Sequence, residues 1–193
     1  DWSMVRDLMW LDEDAVLCSS PSAPLVTDLD VDVGGPAWDL LPMDRYRAHN
    51  WHCFGGLDRA PYAAIYTTLG CVFKCEFCCI QAPFKSGEAA TAGHGPGVNS
   101  YRFWSPKRVG EELERLANVH GVRNVKIADE MFVLNRRHVE GICDEIIARQ
   151  LDLNLWAYSR VDTIKDGMLD KLRRAGFSWL ALGIEAADPV VRN

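Results

Sequence analysis

The chain has 193 residues, 48% of them hydrophobic and 25% charged, which matches a globular domain and excludes a disordered, collagen-like or low-complexity chain. Its net charge of −6, from 21 basic and 27 acidic residues, argues against a nucleic-acid partner, which needs a clustered basic footprint. No apolar run approaches the ~20 residues of a membrane span, and the first residues, Asp1 to Asp7, lack the basic and apolar regions of an export signal.

Residues 1–60 are rich in Pro, Gly, Asp and Trp and read as an irregular lead-in. It is expected to pack on a core through Trp38, Leu40, Leu41, Tyr46 and Trp51, with a small hairpin around Leu8–Leu17. From residue 61 to 193 the pattern is regular. Tyr62–Leu69 is a β-rich run that stops at Gly70 and enters a cysteine cluster, followed by a Gly-rich loop over 85–100. Ser105-Pro106 opens a helix, since Ser caps well and Pro suits the first position; Val109, Leu113, Leu116 and Val119 form its stripe and Gly121 its stop. Val122–Ala128 is a second strand. Asn135 caps a second helix with Val139, Ile142, Ile146 and Ile147 inward. Leu153–Tyr158 is a third strand; residues 166–176 form a helix carrying Met168, Leu169 and Leu172; Trp179–Ile184 is a fourth strand.

Alternating strands and helices predict an α/β fold with about four parallel strands. A chemically versatile group follows each strand: the cysteines, then Asp129-Glu130, Ser159-Arg160 and Glu185. In parallel α/β folds such positions share one ligand-binding edge, so these residues are expected to converge.

Seven cysteines with no export signal read as metal ligation in a reducing, cytoplasmic setting. Cys71, Cys75 and Cys78 have the spacing Cys-x3-Cys-x2-Cys, with Cys79 adjacent. Complete ligation of a 4Fe–4S cube takes four cysteines. Three on one loop leave one iron open to a small molecule, because Cys79 would have to fold back on Cys78. The rival is structural zinc, with Cys53 or His52 completing the set. Zinc would make the chain a non-catalytic binding module and leaves the strand-end groups unexplained. Cys18, Cys53, Cys79 and Cys143 read as ordinary thiols, Cys143 on an apolar helix face, and the five histidines as structural. Trp51, Trp104 and Trp156 are candidates to line a substrate cavity, and Lys107–Arg115 reads as a solvated helix face.

The cysteine motif, after a first strand and with Phe77 just before its last Cys, resembles the signature of the radical S-adenosylmethionine superfamily. Pro36–Tyr46 resembles the linker between a cobalamin-binding domain and a radical core. Ile127–Phe132, Ala157–Asp162 and Leu182–Ala186 resemble strand-end motifs of that same branch. The resemblance implies a partial (βα)6-type barrel, with a cobalamin domain before the linker and further strands beyond residue 193, so that this stretch alone is expected to be inactive. It implies that Cys71, Cys75 and Cys78 hold a 4Fe–4S cluster whose open iron takes S-adenosylmethionine, cleaved reductively to a 5′-deoxyadenosyl radical. Phe77 would lie near the adenine, and Glu130, or else Asp129, would take the methionyl ammonium. Arg160 would pair with the carboxylate, and Ser159 and Glu185 would hold ribose hydroxyls or the methionyl group. Ala128-Asp129 departs from the Gly-Gly-Glu form usual before that Glu. The implied partners are a small-molecule or lipid-like substrate and an electron donor such as ferredoxin or flavodoxin. The implied reaction is methyl transfer or a related radical modification, with cobalamin-independent cyclisation, hydrogen abstraction or methylthiolation as the alternative.

Overall fold

The computed structural model describes residues 2–21, 26, 28–73, 75–78, 101–188 and 190. The Gly-rich loop over 85–100 and Cys79 lie outside them. The chain divides into two compact units, Asp1–Thr27 with Gly70–Tyr101, and Asp28–Leu69 with Arg102–Asn193. In the first, β1 (Met9–Leu11) and β2 (Leu17–Ser19) form the expected hairpin, two residues longer at its far end. Asp12 builds its turn by accepting the Asp14 and Val16 amides at 3.0 and 2.9 Å.

The second unit holds four parallel strands: β3 (Tyr62–Ile65), β6 (Asn124–Ile127), β7 (Asn154–Arg160) and β8 (Phe177–Gly183), in the order β3-β6-β7-β8. A short antiparallel pair, β4 (Thr68–Leu69) and β5 (Arg102–Phe103), follows the first strand. After α1 (Leu29–Asp32), three helices make the crossovers: α2 (Pro106–Asn118), α3 (Arg136–Ala148) and α4 (Met168–Arg174). Ser105 caps α2 by accepting the Arg108 amide at 3.2 Å, and Asn135 caps α3 through the His138 amide at 3.3 Å.

Helix spacing of 3.6 and strand spacing of 2 then decide the core. Leu113 and Leu116 of α2, Val139, Ile142, Cys143 and Ile146 of α3, and Met168 and Leu172 of α4 meet Ile65, Val125, Ile127, Leu155, Ala157 and Phe177 of the sheet. Burying each large aliphatic side chain is worth ~1.5–3 kcal/mol. The alternate strand positions, Ala64, Lys126, Trp156 and Trp179, are register neighbours on the other face.

Several expectations need correction. Val119, Ile147 and Leu169 lie exposed, because α2 ends before Val119 and the other two point off the buried stripe. The lead-in packs through Trp38, Met43 and Ala48, whereas Leu40 is 79% and Trp51 66% exposed, and Leu41 and Tyr46 are also exposed. Its three-residue 3-10 turns are too short to present a continuous face. Trp104 packs against the core partly buried. Within Lys107–Arg115, Glu112 is buried and takes the indole N–H of Trp38, so that helix face is not wholly solvated. Finally, the run 62–69 is not one strand: the chain leaves the sheet after Ile65, because the Thr67 and Thr68 amides go to a side chain instead of a neighbouring strand.

Candidate functional site

That side chain is Asp129, two residues past the end of β6. It is fully buried. Its Oδ1 accepts the Thr67 and Thr68 amides at 2.6 and 3.1 Å, and its Oδ2 accepts the Thr67 hydroxyl at 2.6 Å. Thr67 Oγ1 also lies 3.2 Å from His138 Nε2 on α3. Since Thr67 spends its hydroxyl hydrogen on Asp129, Nε2 of His138 is the donor, and its Nδ1 is buried without a partner among the described residues. Burial pushes the Asp129 carboxyl up to about 6, against the downward pull of its Thr67 and Thr68 hydrogen bonds. Burial pulls His138 down to about 4. This chain of three groups ties the ends of β3 and β6 to the first turn of α3, and Cys71 begins four residues beyond Thr67.

Asp129 was expected as the alternative to Glu130 for a cofactor ammonium. Its carboxylate is instead committed to the Thr67-Thr68 segment. The acid left at this strand end is Glu130, half-buried, with Oε2 buried and without a hydrogen-bond partner among the described residues. An orphaned carboxylate oxygen suits an incoming ammonium, because a buried acceptor without a donor is costly.

At the end of β7, Ser159 is buried; its hydroxyl donates to the Arg160 carbonyl at 3.0 Å and lies 3.2 Å from Thr163 Oγ1. Arg160 is held by Asp162 through two bonds of 2.9 Å, and that guanidinium keeps the Asp162 carboxyl below the usual carboxylate range. Sequence reading placed both residues after the strand; they are its last two residues. Glu185, just past β8, is exposed in a left-handed conformation at φ 64°.

The cysteine loop belongs to the first unit. Cys71 is buried, Cys75 and Cys78 are half-buried, and none is in a disulfide. The Cys78 amide donates to the Cys75 carbonyl at 3.1 Å, which closes a turn carrying Phe77 at its tip, 73% exposed. Among the described residues no group of three or more His, Cys, Asp or Glu side chains is gathered to hold a metal ion. The donor chemistry nonetheless fits an iron–sulfur cluster: three reduced thiols on one loop supply the soft ligands it needs, and such loops close as the metal binds. The side chains offered as completing a zinc set are engaged within the second unit. His52 stacks on Trp156 at 4.2 Å, and Cys53 donates to Asn124 Oδ1 at 3.3 Å, its thiol pushed up by burial. Cys143 is fully buried and pushed up to about 12 by the same cause.

Sequence reasoning did not single out Thr67, His138 or Lys126. A buried His at the third position of a helix leaves no periodic signal. A lone Lys between Val125 and Ile127 was visible in the strand and was passed over.

A family model described as the Radical SAM superfamily matches residues 65–193. An uncharacterized methyltransferase of Pyrococcus horikoshii is 29% identical over 92% of this chain and 34% of its own length. The anaerobic magnesium-protoporphyrin IX monomethyl ester cyclase of Cereibacter sphaeroides is 32% identical over 95% of this chain and 27% of its own length. A tryptophan 2-C-methyltransferase of Streptomyces laurentii is 26% identical over 79% of the chain. The chain thus spans about a quarter to a third of the curated relatives it matches. Among solved structures, the cobalamin-dependent S-adenosylmethionine radical enzyme OxsB shares the fold at a TM-score of 0.62 and 16% identity, over 100% of this chain and 26% of that one.

Proposed function

The chain belongs to the Radical SAM superfamily, and on that premise we propose that it is the early part of the radical core of an enzyme that cleaves S-adenosylmethionine reductively. Cys71, Cys75 and Cys78 would hold a 4Fe–4S cluster, which when bound supplies the single electron that releases a 5′-deoxyadenosyl radical from the sulfonium. The observation that carries the reading is the Cys-x3-Cys-x2-Cys loop that follows β3, the first strand of the parallel sheet, after the short β4. Glu130 receives the methionyl ammonium through its orphaned Oε2. Phe77, Ser159, Arg160 and Glu185 stand for the remaining contacts, to adenine, ribose and the methionyl carboxylate. Arg160 exchanges or shares Asp162 to do so.

Relatives named as a methyltransferase and a cyclase support methyl transfer or a related radical modification. The fold shared with a cobalamin-dependent enzyme supports cobalamin held by a domain outside this chain. A low-potential donor of the ferredoxin or flavodoxin type supplies the electron, and the reduced cysteines suit the cytoplasm. No described helix is long and apolar enough to cross a membrane.

Anaerobic reconstitution with iron and sulfide tests the reading. It predicts about four irons per chain, as a [4Fe–4S] cluster requires, and loss of most of that iron in Cys75→Ala. Zinc near one per chain with little iron, or full iron retention in Cys75→Ala, contradicts it.

A further inference from the structure

Lys126 is the feature that the proposed chemistry leaves unused. It sits at the middle of β6, in register with Ala64 on one side and Trp156 on the other, on the sheet face turned away from the helices. Its ammonium lies 4.7 Å from the ring centroid of Tyr158. The other three lysines among the described residues all have an oxygen partner: Lys107 has Glu111, Lys165 the Asp162 carbonyl, and Lys171 Asp144. Among the described residues Lys126 has none, although the chain carries more acid than base. An aromatic ring satisfies an ammonium's charge on one side only and leaves N–H donors for an oxyanion.

The surroundings give that ammonium a shaped bed. Below it the sheet face is closed, because His52 stacks on Trp156 at 4.2 Å and Tyr62 lies parallel to the same indole at 5.6 Å. Trp156 is therefore buried. Two positions beside it are small, Ala64 in register on β3, exposed, and Ala128 two residues on, half-buried; Ala181, exposed, is the register partner of Tyr158. Alanine on the β3 side and two residues on along β6 leaves the ammonium uncrowded there, while the indole of Trp156 walls its β7 side. The ring of Tyr158, 43% exposed, lies against the ammonium, and that of Trp179, 39% exposed, stands on the same face next to Trp156, with Phe54 at 5.3 Å. A cation without an acid, alanines on two of its flanks and partly exposed ring surface on the same face fit one class of occupant: a flat conjugated molecule that carries a carboxylate.

We propose that Lys126, with Tyr158 and Trp179, is the anchoring site for a planar aromatic carboxylate on the open face of this sheet. The proposal rests on the radical reading only in taking that face as the substrate side; the site itself is defined by unit-two residues alone.

Equilibrium dialysis of the protein against naphthalene-1-acetate and its uncharged methyl ester tests the site without any turnover. The acid should bind about tenfold tighter than the ester, the scale of a charge-assisted contact that is partly screened. Lys126→Met keeps the apolar stem and should bring the ratio near one. Lys126→Arg should restore it. Tyr158→Leu should weaken both probes together by removing the ring. Equal binding of acid and ester by the unaltered protein, no binding of either, or an unchanged preference in Lys126→Met overturns the proposal. Iron loading is read in the same samples. A Lys126→Met protein that loads iron normally but has lost the preference supports the site. An unaltered protein that shows the preference but fails to load iron refutes the radical reading and leaves the site standing.

Discussion

Asp129 and His138 act on stability with opposite signs, and single substitutions separate them. Asp129 has a folded pKa of about 6 against an ordinary 3.8. Between those values the folded protein holds a proton that the unfolded chain has lost. Stability from this group is therefore complete below pH ~3.8 and falls as pH rises through ~6, by about 3 kcal/mol. His138 has a folded pKa of about 4 against 6.5. Here the unfolded chain holds the extra proton, so stability is complete above pH ~6.5 and is lost as pH falls toward ~4, again by about 3 kcal/mol. In the wild type the two slopes nearly cancel between about pH 4 and pH 6. Asp129→Asn removes the first, so its stability relative to wild type should rise by about 3 kcal/mol as pH goes from about 4 to about 6. His138→Gln removes the second, so its relative stability should fall by about as much from about pH 4 to about pH 6.5. Equilibrium urea unfolding at half-unit pH intervals measures both. Differences that stay flat with pH in both variants refute the reasoning, because they would mean that neither group titrates differently in the fold.

Two further predictions concern packing. Gly176 ends the α4 segment at φ +97°, and a Cβ there would lie 2.3 Å from the Leu153 carbonyl oxygen, so Gly176→Ala should cost about 3 kcal/mol or more. A thermal midpoint within a degree of wild type would contradict that. Trp38→Phe keeps the ring but leaves the buried Glu112 without its indole donor, at a cost of about 1–3 kcal/mol. Adding Glu112→Leu should recover part of the loss, because an apolar pair needs no donor; a larger loss in the double variant would count against the contact.

The parallel sheet was legible because each crossover helix carries a stripe, marked by Leu113, Ile142 and Leu172, and two of the three also carry a side-chain cap, Ser105 and Asn135. The left-handed stops at Gly121 and Gly176 were legible for the same reason, since only glycine takes those angles freely. The lead-in was not legible. Its aromatic residues look alike in sequence, yet Trp51 is exposed and Trp38 is buried in the core, its indole N–H on Glu112 seventy-four positions away. Asp129 misled for a related reason. An acid after a strand has two uses, ligand or backbone anchor, and the amides of Thr67 and Thr68 that settle it in favour of the anchor are sixty-two and sixty-one positions distant. Spacing singles out the three cysteines as a candidate set because they share one loop; it does not separate Glu130 from Asp129, because burial is not a local property.

The most direct measurement is the electron paramagnetic resonance spectrum of the reduced, reconstituted protein with and without S-adenosylmethionine. A cluster with one iron open to that molecule should give a signal whose g values move when it is added, and Glu130→Gln should need a higher concentration to produce the same movement. A signal of an intact cluster that stays unmoved at saturating S-adenosylmethionine would contradict the account.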